Sequence, residues 1–184
     1  IFILFLFFDV YYFLRGLIVS VYSRFKSRIS ILEESVVPGI CLTTDLDFNL
    51  HMNNGRYLRE GDFGRFDFWV RSRYWQEVKK LGGSLTNGGN NIRYRKSLVF
   101  LDRYNIHTKV VYWDERSFYM EQKLIRTQDQ FICSIALIKQ VVLGATPADL
   151  VSKLDPNIVC PDPPKELLLW LEAAQISSEK LRKS

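Results

Sequence analysis

The sequence predicts an α+β domain in which an antiparallel sheet wraps around a long central helix, with an apolar helix in front of it. Three observations lead there. From Tyr57 on, Phe63, Phe66, Val70, Tyr74, Val78 and Leu81 step by three and four residues, the period of a buried helical face. Four strand-like runs follow, Ile92–Phe100, Asn105–Trp113, Phe118–Thr127 and Phe131–Leu143, and the turns between the last three are short enough for antiparallel hairpins. Finally, 184 residues with 47% hydrophobic content suffice for one core rather than two.

The elements follow in chain order. Residues 1–22 are dominated by Ile, Leu, Phe, Val and Tyr, with Asp9 and Arg15 as the charges inside the run. That length is close to the roughly 20 residues a bilayer span needs, and Arg24, Lys26 and Arg28 follow it. The pattern predicts a membrane-spanning signal anchor with Arg15 snorkelling to an interface and, by the positive-inside rule, the domain on the cytosolic side of the endoplasmic reticulum membrane. A signal peptide cleaved near Val21-Tyr22-Ser23, followed by secretion, competes with it. An amphipathic helix lying on a membrane, or a tail packed on the domain, is the remaining reading. Residues 23–38 read as a linker ending in Pro38-Gly39, residues 39–150 as the domain, and residues 151–184 as a C-terminal extension.

Within the domain, residues Gly39 to Thr44 read as the first strand. A single helix from Tyr57 to Lys80 would be about 40 Å long, too long for a small sheet to wrap, so a bend is expected near Arg71 to Arg73, and Gly82-Gly83 ends the helix. Gly61 and Gly64 weaken helix propensity and are expected to let the backbone approach the sheet closely. The Gly/Asn-rich stretch Gly82 to Asn91 reads as a loop. Thr146-Pro147 opens a short helix, and an amphipathic helix from Glu166 to Lys183 follows Pro161 to Pro164, with Trp170 as its anchor.

Charge and composition exclude several classes. The net charge of +5 comes from 25 basic and 20 acidic residues mixed along the chain, and no helix-turn-helix, zinc-finger or RNP-like string is present, so nucleic acid is disfavoured. Cys41, Cys133 and Cys160 are too few and too scattered for a disulfide framework. Together with two isolated histidines they offer no metal-ligand spacing. The absence of an Asn-x-Ser/Thr sequon favours a domain that does not meet lumenal glycosylation.

Chemistry concentrates in Thr43 to Glu60, TTDLDFNLHMNNGRYLRE. Asp45, Asp47, Asn49 and His51 alternate, so an extended chain would put them on one side and Leu46, Phe48 and Leu50 on the other. Asn53-Asn54-Gly55 then offers cap and turn chemistry before the helix, whose first N–H groups at Gly55 and Arg56 are candidate oxyanion donors. The plainer reading is that Asp and Asn ahead of a helix are ordinary caps and Asx turns. His107, in a strand pattern beside Lys109, reads as an exposed or hydrogen-bonded residue rather than a catalytic one.

The string D-L-D-x-N-x-H-x-N-N-x-x-Y, Asp45 to Tyr57, resembles the signature of hot-dog-fold acyl thioesterases of the 4-hydroxybenzoyl-CoA thioesterase group, including plant acyl-carrier-protein thioesterases. The N-terminal apolar segment, WDERSFYMEQ and Phe131 to Leu150 extend the likeness to the thioesterase superfamily member six group. The resemblance implies a hot-dog fold, a homodimer with sites built between subunits, and hydrolysis of acyl-CoA or a related acyl thioester without a cofactor. It implies that Asp47 orients or activates, Asn49 positions, and His51 acts as base or hydrogen-bond donor, with Asp45 supporting them. One departure stands out: plant-type enzymes carry a glutamate after a Y-R-x stretch, and here Tyr94-Arg95-Lys96 is followed by Ser97. Glu60 or Asp62 on the helix is the candidate replacement. Arg93, Arg95, Lys96 and Arg103 form a basic cluster suited to the phosphates of coenzyme A, or simply a solvated sheet face. A catalytically inactive acyl-lipid binding or scaffold protein on the same fold is the alternative reading.

Overall fold

A computed structural model describes residues 9–182; the first eight residues of the expected anchor lie outside the described residues. In chain order the elements are α1 (Val10–Ser23), β1 (Ser35–Ile40), a 3-10 turn (Thr43–Asp45), α2 (Asn54–Arg71), α3 (Tyr74–Lys80), β2 (Ser84–Tyr94), β3 (Arg103–Trp113), β4 (Ser117–Arg126), β5 (Ile132–Leu143), α4 (Pro147–Leu154) and α5 (Lys165–Arg182). The five strands form one sheet in the order β1-β3-β4-β5-β2, every pair antiparallel. With α2 packed into it, this is the hot-dog arrangement.

Helix α2 sits at the centre because its small residues let it come close. A Cβ at Gly64 would lie 2.4 Å from Thr108 Oγ1 and 2.8 Å from Ile106, and one at Gly61 would lie 2.8 Å from Gln122 Oε1. Buried Gln122 fastens the contact by donating from Nε2 to the Gly61 carbonyl and to Thr108 Oγ1, each at 2.9 Å. On β3, Tyr104, Ile106, Thr108 and Val110 alternate inward, as a sheet with one buried face requires. The helix ends at Ser72, Arg73 takes a left-handed conformation at φ 69°, and α3 sets off again. The expected bend falls there.

Three local expectations need correction. The first strand is Ser35–Ile40 rather than Gly39 to Thr44, so the expected linker already pairs with β3 from Ser35 opposite Thr108 to Ile40 opposite Arg103. Past Cys41 the Asp45 carboxylate accepts the Leu42 N–H at 2.9 Å and rolls the chain into the 3-10 turn. The Gly/Asn-rich stretch is mostly strand, because pairing with β5 supplies the hydrogen bonds that its composition argues against. The irregularity those residues signal survives as a register shift between Asn87 and Gly89. At the other end of that run, β2 stops at Tyr94, well short of Phe100.

The terminal helices close the domain. α1 lies along α2, with Gly16 buried against Phe66 and Phe63. Its Arg15 does not snorkel away but ion-pairs with Glu60 and donates to the Pro38 carbonyl at 3.2 Å. Among the described residues no helix is long and apolar enough to cross a membrane. The helix after Thr146 forms as expected, capped by the Thr146 hydroxyl. In α5 the fully buried residue is Leu167, packed with Tyr119 and Leu137; Trp170 is half-buried beside it.

Candidate active site

The predicted polar string is a small hairpin, not an extended strand. Asp47 donates its N–H to the His51 carbonyl at 2.9 Å, and Leu50 donates to the Asp47 carbonyl at 3.0 Å. Leu46 bridges Met52, and His51 bridges Val99 in the loop ahead of β3. Leu50 adopts φ 58°, a left-handed conformation that closes the turn. The expected alternation therefore fails. Asp47 and His51 still come together, because they face each other across the hairpin base, while Phe48, Asn49 and Leu50 form its exposed tip.

Within this hairpin the imidazole Nδ1 of His51 stands 3.5 Å from Asp47 Oδ1. That nitrogen is buried and makes no hydrogen bond among the described residues, so a modest turn of the ring toward the carboxylate would complete an acid–imidazole pair. Asp47 Oδ1 accepts the Asn49 backbone N–H at 2.9 Å. Asn49 thus meets Asp47 through its backbone, as in an ordinary Asx turn. Asp45 is buried behind the hairpin. Its backbone carbonyl accepts the Asn53 N–H at 2.8 Å, and its Oδ1 lies 4.0 Å from the guanidinium groups of Arg56 and Arg59.

The oxyanion donors expected at the start of α2 are already engaged. Asn53 caps the helix by accepting the Gly55 N–H on its side-chain oxygen at 2.9 Å, and the Arg56 N–H donates to the Asn53 carbonyl at 2.8 Å. An acyl oxygen would have to displace the Asn53 side chain to reach Gly55. Beside this helix start lies an open cleft of about 270 Å³, lined by Met52, Asn54, Tyr57, Tyr94, Arg95, Lys96 and Ser97. The Tyr57 hydroxyl accepts the Leu98 N–H at 3.0 Å, and burial pushes its pKa up to about 12.

The basic cluster divides. Arg95 and Lys96 reach this cleft, held over the Phe131 ring at 4.9 and 5.2 Å, with Lys96 also 3.2 Å from Asp129. Arg93 is exposed on β2 and does not line the cleft, and Arg103 lines a different one, with Tyr11, Arg15 and Pro38. His107 matches its plain reading, with Nδ1 2.8 Å from Glu34.

Glu60, a candidate replacement for the missing glutamate, is closed to solvent. It is fully buried two turns into α2, where Tyr104 donates to Oε2 at 2.5 Å and Arg15 pairs with the same oxygen. Burial pushes its carboxyl pKa up, against the opposing pull of Arg15 and the Tyr104 hydrogen bond. Its Oε1 has no hydrogen-bond partner among the described residues. Arg15 and Tyr104 lie 45 and 44 residues away along the chain, so no local pattern could have joined them to Glu60. Asp62, the other candidate replacement, is tied to Arg65 and to the Tyr12 hydroxyl.

Comparison with known proteins agrees with this architecture. The family model of the thioesterase-like superfamily matches residues 41–171. Protein THEM6 of Danio rerio is 41% identical over 95% of this chain and 88% of its own length, and Protein THEM6 of Xenopus laevis is 38% identical over 95% and 85%. Among solved structures, SAV2348 from Staphylococcus aureus, determined in complex with CoA, superposes with a TM-score of 0.58 at 15% identity, covering 77% of this chain and 96% of that one. At that identity the likeness speaks for the fold alone. Because the family model spans most of the chain and the relatives match it almost end to end, the chain belongs to the thioesterase-like superfamily.

Proposed function

We propose that the protein is a homodimeric acyl-CoA thioesterase that hydrolyses fatty acyl thioesters at a membrane, with Asp47 as the carboxylate that activates or orients the attacking water. The observation that carries the proposal is the placement of Asp47 and His51, 3.5 Å apart on a constrained hairpin directly ahead of the buried helix. Thioester hydrolysis needs an acid–base group and a donor for the developing oxyanion. His51 contributes Nδ1, which makes no hydrogen bond among the described residues, and Gly55 contributes a donor once Asn53 swings aside. Arg95 and Lys96, at the cleft beside the helix start, suit the anionic arm of coenzyme A.

Homodimerisation is supported by β2, an edge strand that pairs only with β5 and leaves its other side open among the described residues. Sedimentation equilibrium of the purified chain is expected to give twice the monomer mass of 21.6 kDa. The proposed location is the cytosolic face of the endoplasmic reticulum membrane, attached through the N-terminal segment; protease protection in microsomes tests sidedness, and a protected domain would favour the secreted alternative.

One observation favours a second reading, a non-catalytic acyl-lipid binding protein: both expected oxyanion donors are already satisfied and Glu60 is sealed from solvent. Thiol release from short, medium and long acyl-CoA separates the two. Turnover that disappears in Asp47→Asn supports hydrolysis, whereas tight acyl-CoA binding without thiol release, unchanged by that substitution, supports the binding protein.

A further inference from the structure

Helix α1 is amphipathic the wrong way round for a helix on a soluble domain. Phe13, Leu14, Leu17, Ile18, Val21 and Tyr22 recur at intervals of one and three residues and form a single stripe, and all of them face outward. Leu17 and Tyr22 are each 62% exposed, and Phe25, next in the series, is 83% exposed. The polar residues point the other way, into the domain. Tyr12 donates its hydroxyl to Asp62 at 2.9 Å, Arg15 pairs with Glu60, and Ser23 Oγ donates to Asp67 at 2.7 Å. At the helix start Asp9 pairs with Arg59, and just past its end Lys26 reaches Asp67 at 2.8 Å.

The polar contacts hold α1 lengthwise against α2, so it cannot stand away from the domain without breaking several ion pairs. Its 14 residues measure about 21 Å, against about 30 Å for a bilayer's hydrocarbon core. We infer that α1 is an in-plane membrane helix: its outward stripe enters the headgroup–acyl boundary of an anionic lipid leaflet while its inward polar side stays fastened to the domain. This rests on and deepens the membrane attachment proposed above, and over these residues it stands in place of the spanning anchor expected from the sequence. Lipid is the occupant because exposed Arg24 stands at the end of the stripe, a charge suited to anionic headgroups, whereas neighbouring Arg28 is held by Asp155 at 3.3 Å, and because residues 1–8, IFILFLFF, are wholly apolar in sequence.

Vesicle sedimentation of the full chain with phosphatidylcholine containing phosphatidylserine tests binding. Wild type is expected to bind, and the double variant Leu17→Glu/Ile18→Glu to bind at least tenfold more weakly with an unchanged melting temperature. Arg24→Glu is expected to weaken binding severalfold on anionic vesicles and little on neutral ones. Geometry is tested with an environment-sensitive probe on single cysteines introduced at Phe13, Leu17, Val21 and Phe25 in a Cys160→Ser background, leaving buried Cys41 and Cys133 in place. Equal, shallow quenching at all four positions supports the in-plane helix; quenching that deepens steadily along the series would mean a spanning helix and overturn it. Loss of self-association in the double variant without lipid, with no vesicle binding by the wild type, would assign the stripe to a second copy and also overturn it. Thiol release from a short, water-soluble acyl-CoA by the double variant reads the catalytic proposal separately.

Discussion

Asp47 does two jobs that substitution can separate. Its Oδ1 holds the hairpin through the Asn49 N–H, and its negative charge is what hydrolysis would use. Asp47→Asn keeps the acceptor and removes the charge, so thiol release is expected to fall by about 100-fold or more with little change in melting temperature. Arg15 and Glu60 pose a different problem, that of a buried acid whose counter-ion comes from another helix. Arg15→Met is expected to destabilise by about 3 kcal/mol in chemical denaturation at pH 8, and adding Glu60→Gln to recover most of it. The sign with pH follows from the direction of the shift. Burial raises the Glu60 pKa, and loss of Arg15 raises it further, so the carboxyl stays neutral below its ordinary value of 4.5 and the variant's deficit shrinks there. As pH rises through the folded-state pKa the uncompensated charge appears and the deficit grows to its full size.

The central helix owes its place to missing side chains as much as to present ones. Gly64→Ala would push a methyl to 2.4 Å from Thr108 Oγ1 and 2.8 Å from Ile106 Cγ2 on β3, so α2 would have to lift off the sheet. A loss of about 2 kcal/mol in denaturant midpoint experiments is expected, despite the better helix propensity of alanine. Asn53→Ala removes the cap and is expected to cost about 1 kcal/mol. The same change frees the Gly55 N–H. If that donor serves the oxyanion, kcat is expected to hold or rise even as stability falls, and a kcat reduced by tenfold or more would show that the cap itself is needed for catalysis.

Across the whole molecule, Asp67 is the knot. Burial pushes its carboxyl pKa up, but hydrogen bonds from Lys26, Ser35 and Ser23 outweigh this and hold it below the ordinary range. Those partners lie after α1, in β1 and in α1, and Arg71 of α2 adds a contact at 3.3 Å, so one carboxylate joins the N-terminal helix, the edge strand and the central helix. A depressed pKa contributes stability that is present above the ordinary value of 3.8 and is lost as pH falls through the folded one. Asp67→Asn is therefore expected to lose about 2 kcal/mol relative to wild type at pH 7, a deficit that shrinks as pH falls below 3.8, measured by denaturant unfolding at pH 7 and through the acid range.

Local periodicity and spacing made much of this readable from the chain alone. The period of α2, its bend, the close approach at Gly61 and Gly64 and the antiparallel hairpins depend on neighbours a few residues apart, and such signals survive folding. The nearness of Asp47 and His51 was also readable as a motif, although the hairpin that brings them to 3.5 Å replaces the alternation an extended chain would give. Tertiary structure alone decided the rest. Main-chain pairing with β5 made a strand of the Gly/Asn-rich stretch, burial together with Tyr104 and Arg15 placed the candidate carboxylate Glu60 in the interior, and docking on α2 turned the polar side of α1 inward. Each depends on groups tens of residues apart, whose meeting is set by how the sheet wraps the helix and not by any pattern along the sequence.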